Sequence, residues 1–463
     1  MSRPDRPSAR AALDIAFSPR SVAVFGASED PKKLGHVAVK FLQDSGYEGR
    51  IIPVNPRGGQ ILGIPVATSL AEIGEPVDLA ISFVPAEHML SVLRDSEENG
   101  VKVVVGVTSG FAESGSAGAQ YEQALRDFLA RTRMRIIGPN CEGIVVPRSK
   151  LLLSFSPMFL GLRDGNVALV SQSGAICGMM ANRLARNGAG IRTVVTTGNE
   201  TDITAADVLD WLADDDSTDV VLMYLEQIRD AGKFVAAARR MQGRKRIVIN
   251  KVGRSSVGRR AAQSHTGALA GDDRVVSGVF KELGIVRAND TMSAVDAAAA
   301  LALRKHLKGK RIGVISFAGG MGAEAAELAE IAGYEVPPFG PALRAEIDKH
   351  LPFYGSSRNP IDLTGSILQR PGDMRRILEL VLADKSVDGA IAVLTFARNM
   401  EFARLLVETT AKFDKPLITC WTGGSDITPE ALAFFREQGF PIFDAPARAV
   451  AALDAVGRAS GAL

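Results

Sequence analysis

The sequence of 463 residues has only three cysteines, Cys141, Cys177 and Cys420, and they lie far apart. With no CxxC pair, neither a disulfide framework nor a structural zinc site is supported, and a reducing compartment is expected. An excess of charge of one sign is also missing. Lys and Arg total 54 against 52 Asp and Glu, a net charge of +2. That balance gives no footing for a nucleic-acid or membrane-surface partner. No window reaches about 18 uninterrupted apolar residues, so no membrane-spanning helix is expected. Residues 1–20 are rich in Arg, Pro and Ala but lack the apolar centre of a secretory signal, which makes a cytoplasmic location the expectation. Neither GxGxxG nor GxxxxGK[ST] occurs, which removes the usual dinucleotide fingerprint and the P-loop.

What is present is ordinary globular composition, 46% hydrophobic and 23% charged, on a chain long enough for about three domains. Ser21–Phe25 reads as a buried strand followed at once by Gly26-Ala27-Ser28, and an amphipathic pattern over 37–42 follows Gly35. Strand, glycine turn and helix open a nucleotide-binding βαβ unit. Further strands are expected at 49–54, 78–84, 101–107 and 134–137. They end in Asn55-Pro56-Arg57, Val84-Pro85, Thr108-Ser109-Gly110 and Gly138-Pro139-Asn140-Cys141-Glu142-Gly143. Strands alternating with helices predict a parallel sheet, whose ligands gather at the carboxyl ends of the strands.

A second α/β unit begins with a strand at 165–170 that runs into Ser171-Gln172-Ser173-Gly174, with a helix expected over 175–185. The start of that helix makes the serine-rich turn a cradle for an anion or a carbonyl oxygen. Strands at 193–196, 220–225 and 246–250 lead into Thr197-Gly198-Asn199, Glu226 and Lys251. A third unit follows residues 305–310, with strands at 311–317, 389–395 and 416–421 and a helix over 323–331.

Histidine is scarce, with five in the chain, and His265 stands in Ser264-His265-Thr266-Gly267 after a basic, hydroxyl-bearing run, Lys251 to Arg260. A neutral imidazole is a competent nucleophile toward phosphorus near neutral pH. The local residues alone fit a surface-loop histidine equally well. Glu226 reads either as a solvated carboxylate at a helix start or as the group that orients the His265 ring. No metal site is expected.

The matching stretches Gly26-Ala27-Ser28, Val54-Asn55-Pro56, Gly110-Phe111-Ala112-Glu113, Gly138-Pro139-Asn140-Cys141, Ser171-Gln172-Ser173-Gly174, Gly198-Asn199, Ser264-His265-Thr266-Gly267 and Asn359-Pro360-Ile361-Asp362 occur in a specific order. In these the chain resembles the NDP-forming acyl-CoA synthetases, relatives of succinyl-CoA synthetase, from about Phe17 to Val456. The resemblance implies an α/β chain with a Rossmann-like CoA-binding domain over 12–147 and two flavodoxin-like domains over 150–303 and 308–463. It implies reversible conversion of acyl-CoA, phosphate and ADP into free acid, CoA and ATP, through an acyl phosphate and a phosphohistidine at His265 held by Glu226. Gly26, Ser28, Lys33 and Arg57 would meet the CoA phosphates, and Asn55, Val84, Pro85 and Asn140 would complete the CoA site. Ser171, Gln172, Ser173, Gly174, Gly198 and Asn199 would hold phosphate or the thioester oxygen.

The three units account for the whole sequence, so the resemblance further implies an α-type subunit. A separate ATP-grasp subunit would carry ADP or ATP with Mg2+, in a hetero-oligomer or homodimer acting on a small carboxylic acid. Two departures from the family pattern stand out: Thr197 replaces a common serine, and Pro446-Ala447-Arg448 carries alanine where glutamate is usual. Two other readings compete. A regulatory module that senses CoA or acyl-CoA predicts that His265 and Glu226 are replaceable. An NAD-dependent dehydrogenase needs an acidic residue after the second strand, where Asn55 stands.

Overall fold

A computed structural model describes residues 6–260, 272–395, 397–424 and 427–462. Two compact units emerge, Met1–Asn182 with Ile191–Leu283, and Arg183–Gly190 with Gly284–Leu463.

In the first unit, the short Val/Ile/Ala runs form strands buried on both faces, as a parallel sheet covered by helices requires. They are β1 (Ser21–Phe25), β2 (Arg50–Val54), β3 (Leu79–Ser82), β4 (Val103–Gly106) and β5 (Arg135–Ile137). All pair in parallel, in the order β2-β1-β3-β4-β5. Helix α1 (Ala9–Phe17) packs Phe17 edge-on against Trp211 at 4.6 Å. Helix α2 (Leu34–Asp44) follows the first glycine turn and begins three residues before the expected pattern. Phe25, Val54, Leu70, Phe111 and Ile136 belong to one core beneath these elements.

The same unit holds a second sheet. Its strands are β6 (Gly143–Val146), β7 (Leu151–Ser154), β8 (Val167–Ser171), β9 (Ile191–Thr196), β10 (Val220–Leu225) and β11 (Arg246–Lys251). Their order is β11-β10-β8-β9-β6-β7, with β8 to β11 parallel and β6 and β7 antiparallel. The β6–β7 hairpin is not anticipated by the sequence pattern, which predicts a turn over 138–143 and no strand between there and 165. Helix α3 (Gly174–Arg186) starts at the turn after β8, and α4 (Ala205–Leu212) is held at its start by a capping box between Thr204 and Asp207.

The second unit is built on one parallel sheet. It contains β12 (Ile312–Ser316), β13 (Ile361–Asp362), β14 (Gly389–Leu394), β15 (Leu417–Trp421) and β16 (Ile442–Phe443), in the order β13-β12-β14-β15-β16. Helix α5 (Gly319–Ile331) starts inside the glycine run, so residues expected as a turn form its first turn. Phe317, Trp421 and Phe435 sit in its core. No helix among the described residues is long and apolar enough to cross a membrane.

Candidate functional site

Three turns at the carboxyl ends of strands in the first unit carry most of the expected site residues. After β1, Gly26 adopts φ +79°, and its N–H donates to Val54 O at 3.1 Å. A Cβ on Gly35, in the first turn of α2, would fall 2.2 Å from Gly26 O, so only glycine lets the helix dock on this turn. Asn55 ties the turn down by donating from Nδ2 to Ala27 O at 2.6 Å and accepting Arg57 N–H at 3.1 Å. Ser28 Oγ accepts Asp30 N–H at 3.2 Å, and Ser28 O lies 2.9 Å from His36 Nδ1. Lys33, Arg57 and Pro85 are exposed. Val84 O accepts the Thr108 hydroxyl at 2.6 Å.

The second turn follows β8. Ser171 Oγ donates to Ser173 O at 2.6 Å and accepts Ser173 N–H at 3.1 Å, which folds the chain sharply into α3. Gln172 is 6% exposed and spends its amide on the neighbouring strand. Its Oε1 accepts the backbone N–H groups of Glu226 at 2.6 Å and Gln227 at 3.0 Å, and its Nε2 donates to Gln227 O at 3.0 Å. From the other side, buried Lys251 donates to Glu226 O at 2.8 Å and Val252 O at 2.7 Å. The backbone of Glu226 is therefore held on both sides by polar side chains from β11 and the turn after β8. Tyr224, one position before the end of β10, has its phenol pushed up to about 12 by burial and by the charge of Glu226.

The third turn follows β9. Gly198 has φ +53°, and a Cβ there would lie 2.2 Å from Pro139 O and 2.4 Å from Asn140 O. Asn199 Nδ2 donates to Glu113 Oε2 at 2.6 Å, and its Oδ1 accepts Asn140 Nδ2 at 3.2 Å. Burial opposes the Glu113 charge, but hydrogen bonds from Asn199 and from the backbone of Phe111 and Gly110 hold its carboxyl below the ordinary range. Asn140 and Asn199 thus brace the ends of β5 and β9 against each other.

An open cleft of about 410 Å³ lies where these parts meet, and Asn140, Gln172, Ser173 and Gly174 line it together with Phe83, Phe155 and Glu142. The structure does not bring Gly26, Ser28, Lys33, Asn55, Arg57, Val84, Pro85, Ser171, Gly198, Asn199 or Glu226 into its lining. His265 lies outside the described residues. At the cleft, α3 offers backbone N–H groups and the positive end of its dipole, an arrangement suited to an anion or a polarised carbonyl oxygen.

Three residues of the neighbourhood are absent from the sequence-based site. Glu142 lines the cleft, and its only signal in sequence is a carboxylate inside the Asn140–Gly143 turn. Glu200 is 3% exposed at φ +54°, accepting Thr197 Oγ1 at 2.9 Å and Ala205 N–H at 2.8 Å. Burial pushes its carboxyl above the ordinary range, against hydrogen bonds from Gln172, Ala205 and Thr197 and the charge of Arg229. Lys251 reads in sequence only as the first residue of the basic run.

Residues 20–147 match the CoA binding domain, and residues 164–301 match the succinyl-CoA ligase like flavodoxin domain. The α subunit of acetate–CoA ligase (ADP-forming) I from Pyrococcus furiosus is 36% identical over 96% of this chain and 97% of its own length. Acetate–CoA ligase (ADP-forming) I of Archaeoglobus fulgidus is 33% identical, and the match covers 97% of this chain and 64% of that longer protein. Among solved structures, acetyl-coenzyme A synthetase 1 of Candidatus Korarchaeum cryptofilum, in complex with phosphate and ADP, superposes with a TM-score of 0.87. It is 31% identical, and the match covers 97% of both chains. The chain belongs to the ADP-forming acyl-CoA ligase family, and its match to the α subunit covers 96% of its residues.

Proposed function

We propose that this chain is the α-type subunit of an acid–CoA ligase that interconverts acyl-CoA, phosphate and ADP with a free carboxylic acid, CoA and ATP. The observation that carries this reading is the junction at Gln172. The turn that lines the cleft beside Asn140 also fixes the backbone of Glu226. CoA would lie along the Gly26–Ser28 turn, with Lys33 and Arg57 supplying charge to its phosphates, and extend its thioester to Ser173 and Gly174. Phosphate attacks the thioester carbonyl carbon, the CoA thiolate leaves, and an acyl phosphate forms. An imidazole nitrogen of His265 then takes the phosphoryl group, releasing the carboxylate, and Glu226 accepts a hydrogen bond from the ring. Passing the phosphoryl group through histidine splits a three-substrate reaction into separate displacements.

ADP and Mg2+ would sit on an ATP-grasp subunit, which we place on a separate chain, in a cytoplasmic hetero-oligomer. We assign CoA binding to residues 12–147 and the ligase steps to 150–303 and 308–463.

The test is labelled phosphate with a mixed acyl-CoA pool, supplied to this chain and to His265→Ala. Acid-labile, base-stable label on the wild type that is lost in the variant is the expected result. Wild-type protein that stays unlabelled with its ATP-grasp subunit present overturns the ligase reading in favour of a CoA-binding sensor.

A further inference from the structure

The cleft holds a carboxyl group for which the phosphoryl-transfer steps have no use. Glu142 has its backbone pinned by two strands, its N–H donating to Thr196 Oγ1 at 2.8 Å and its carbonyl accepting Ser154 Oγ at 2.5 Å. Its side chain lies against the start of α3, where a Cβ on Gly174 would fall 2.5 Å from Glu142 Cγ and 3.0 Å from Oε1. Glycine at 174 therefore leaves the room that this carboxyl occupies. Ser156 hydrogen-bonds the carboxyl, while Oε2 is buried without a hydrogen-bond partner. Among the described residues no Lys or Arg pairs with it; its titratable neighbours are the buried thiols of Cys141 and Cys177. Burial pushes the Glu142 carboxyl above the ordinary range despite Ser156.

A carboxyl in this place is costly for the proposed chemistry. Ionised, it repels the phosphate that must approach Ser173 and Gly174, and its Oε2 forgoes a hydrogen bond that buried oxygens nearly always make. A donor on the ligand offsets the missing hydrogen bond, and an ammonium group offsets the charge as well. Phe83 and Phe155, meeting edge to face at 6.3 Å, supply apolar surface for a carbon chain in the same cleft. Such surface discriminates only weakly between chains of similar length. A buried polar group that must be satisfied by the substrate discriminates strongly.

We propose that Glu142 selects acids whose acyl chain carries a hydrogen-bond donor, a hydroxyl or an ammonium group, which satisfies the carboxyl from inside the cleft. This assignment rests on the ligase reading, because the thioester held at Ser173 and Gly174 is what lays the acyl chain beside Glu142.

The experiment is a competition assay with the ligase assembled from this chain and its ATP-grasp subunit, given CoA, ATP and Mg2+. One mixture contains butyrate, 3-hydroxybutyrate and 4-aminobutyrate at equal concentration; the other contains phenylacetate and 4-hydroxyphenylacetate. The ratio of acyl-CoA products reports kcat/KM ratios and is independent of how much enzyme is correctly folded. In the wild type, a donor-bearing acid is expected to win by at least about tenfold in one of the mixtures. Glu142→Leu should collapse that ratio, and Glu142→Gln should keep a hydroxyl preference while losing an ammonium preference. Wild type that favours the unsubstituted acid in both mixtures, or a ratio unchanged in Glu142→Leu, overturns the assignment. No acyl-CoA from any acid, under conditions where the partner binds ATP, counts against the ligase reading itself and brings this assignment down with it.

Discussion

Gln172 Oε1 accepts the backbone N–H of Glu226 at 2.6 Å, while Lys251 Nζ donates to the carbonyl of the same residue at 2.8 Å. A short side chain can aim a carboxylate only as well as its own backbone is held, and here both polar groups of that backbone are taken. Gln172→Met leaves the buried N–H of Glu226 and the half-buried N–H of Gln227 without this acceptor. Each such loss costs about 1–3 kcal/mol. We expect a lower melting temperature and a rate of phosphohistidine formation reduced by about tenfold or more, with CoA affinity preserved because the Gly26 turn is untouched. Equal labelling rates in wild type and Gln172→Met would remove this amide from the catalytic argument.

The close approach at Gly35 offers a sharper contrast. Gly35→Ala places a methyl 2.2 Å from Gly26 O, a backbone atom that cannot step aside, so α2 must shift away from the first turn. Gly320→Ala, also in a helical first turn, meets nothing within 4 Å. There alanine is expected to raise stability by about 0.5–1 kcal/mol through its better helix propensity. Thermal unfolding and CoA titration of the two variants separate the effects. Gly35→Ala should lose both stability and CoA affinity, and Gly320→Ala should lose neither.

The contrast between these glycines also marks how far sequence reading reaches. The parallel strands are legible because a strand buried on both faces must be a short run of Val, Ile, Leu or Ala, and the ligand edge is legible because polar turns collect after such runs. The antiparallel pair β6–β7 escapes for the same reason. Gly143–Val146 follows a glycine, proline and asparagine turn without a break, and its pairing with β7 and β9 is what makes it a strand. At the site, residue type points to the right turns but cannot separate a side chain that meets a ligand from one that ties down backbone. Asn55 and Asn199 both hydrogen-bond groups of the fold, Ala27 O and Glu113. Glu142 reaches the cleft only because the pairing of β6 with β9 carries it to the start of α3, a relation between residues more than thirty positions apart that no local pattern encodes.

Glu200 makes a prediction about pH. Its folded carboxyl is raised above the ordinary value of 4.5, chiefly by burial, so the folded chain binds its proton more tightly than the unfolded chain does. The stability from this group is fully present below pH 4.5 and is lost as pH rises through the raised value. Glu200→Gln removes the titration. Measured by thermal melts across a pH series, the difference between variant and wild type should shift in the variant's favour as pH rises above about 4.5, then level off. A difference that stays flat across the series would show that Glu200 titrates alike in the folded and unfolded chains.

In the second unit, the clearest buried ion pair joins Asp296 and Arg448. Arg448 Nε donates to Asp296 Oδ2 at 2.7 Å, and Asn187 Nδ2 donates to Oδ1 at 3.0 Å. The Asp296 side chain is 5% exposed and that of Arg448 20%, so neither charge has ready access to water. Arg448 follows Ala447, and Asp296 and Asp444 supply its acidic partners. Breaking such a pair from one side strands a desolvated charge, whereas removing both partners restores an apolar contact at much smaller cost. Asp296→Ala should therefore destabilise the second unit by about 3–5 kcal/mol. The double variant Asp296→Leu with Arg448→Met should recover most of that loss. Denaturant unfolding of the single and double variants decides the matter. If the double variant is no more stable than Asp296→Ala, the loss comes from packing, and the charge pair contributes little to holding α5's unit together.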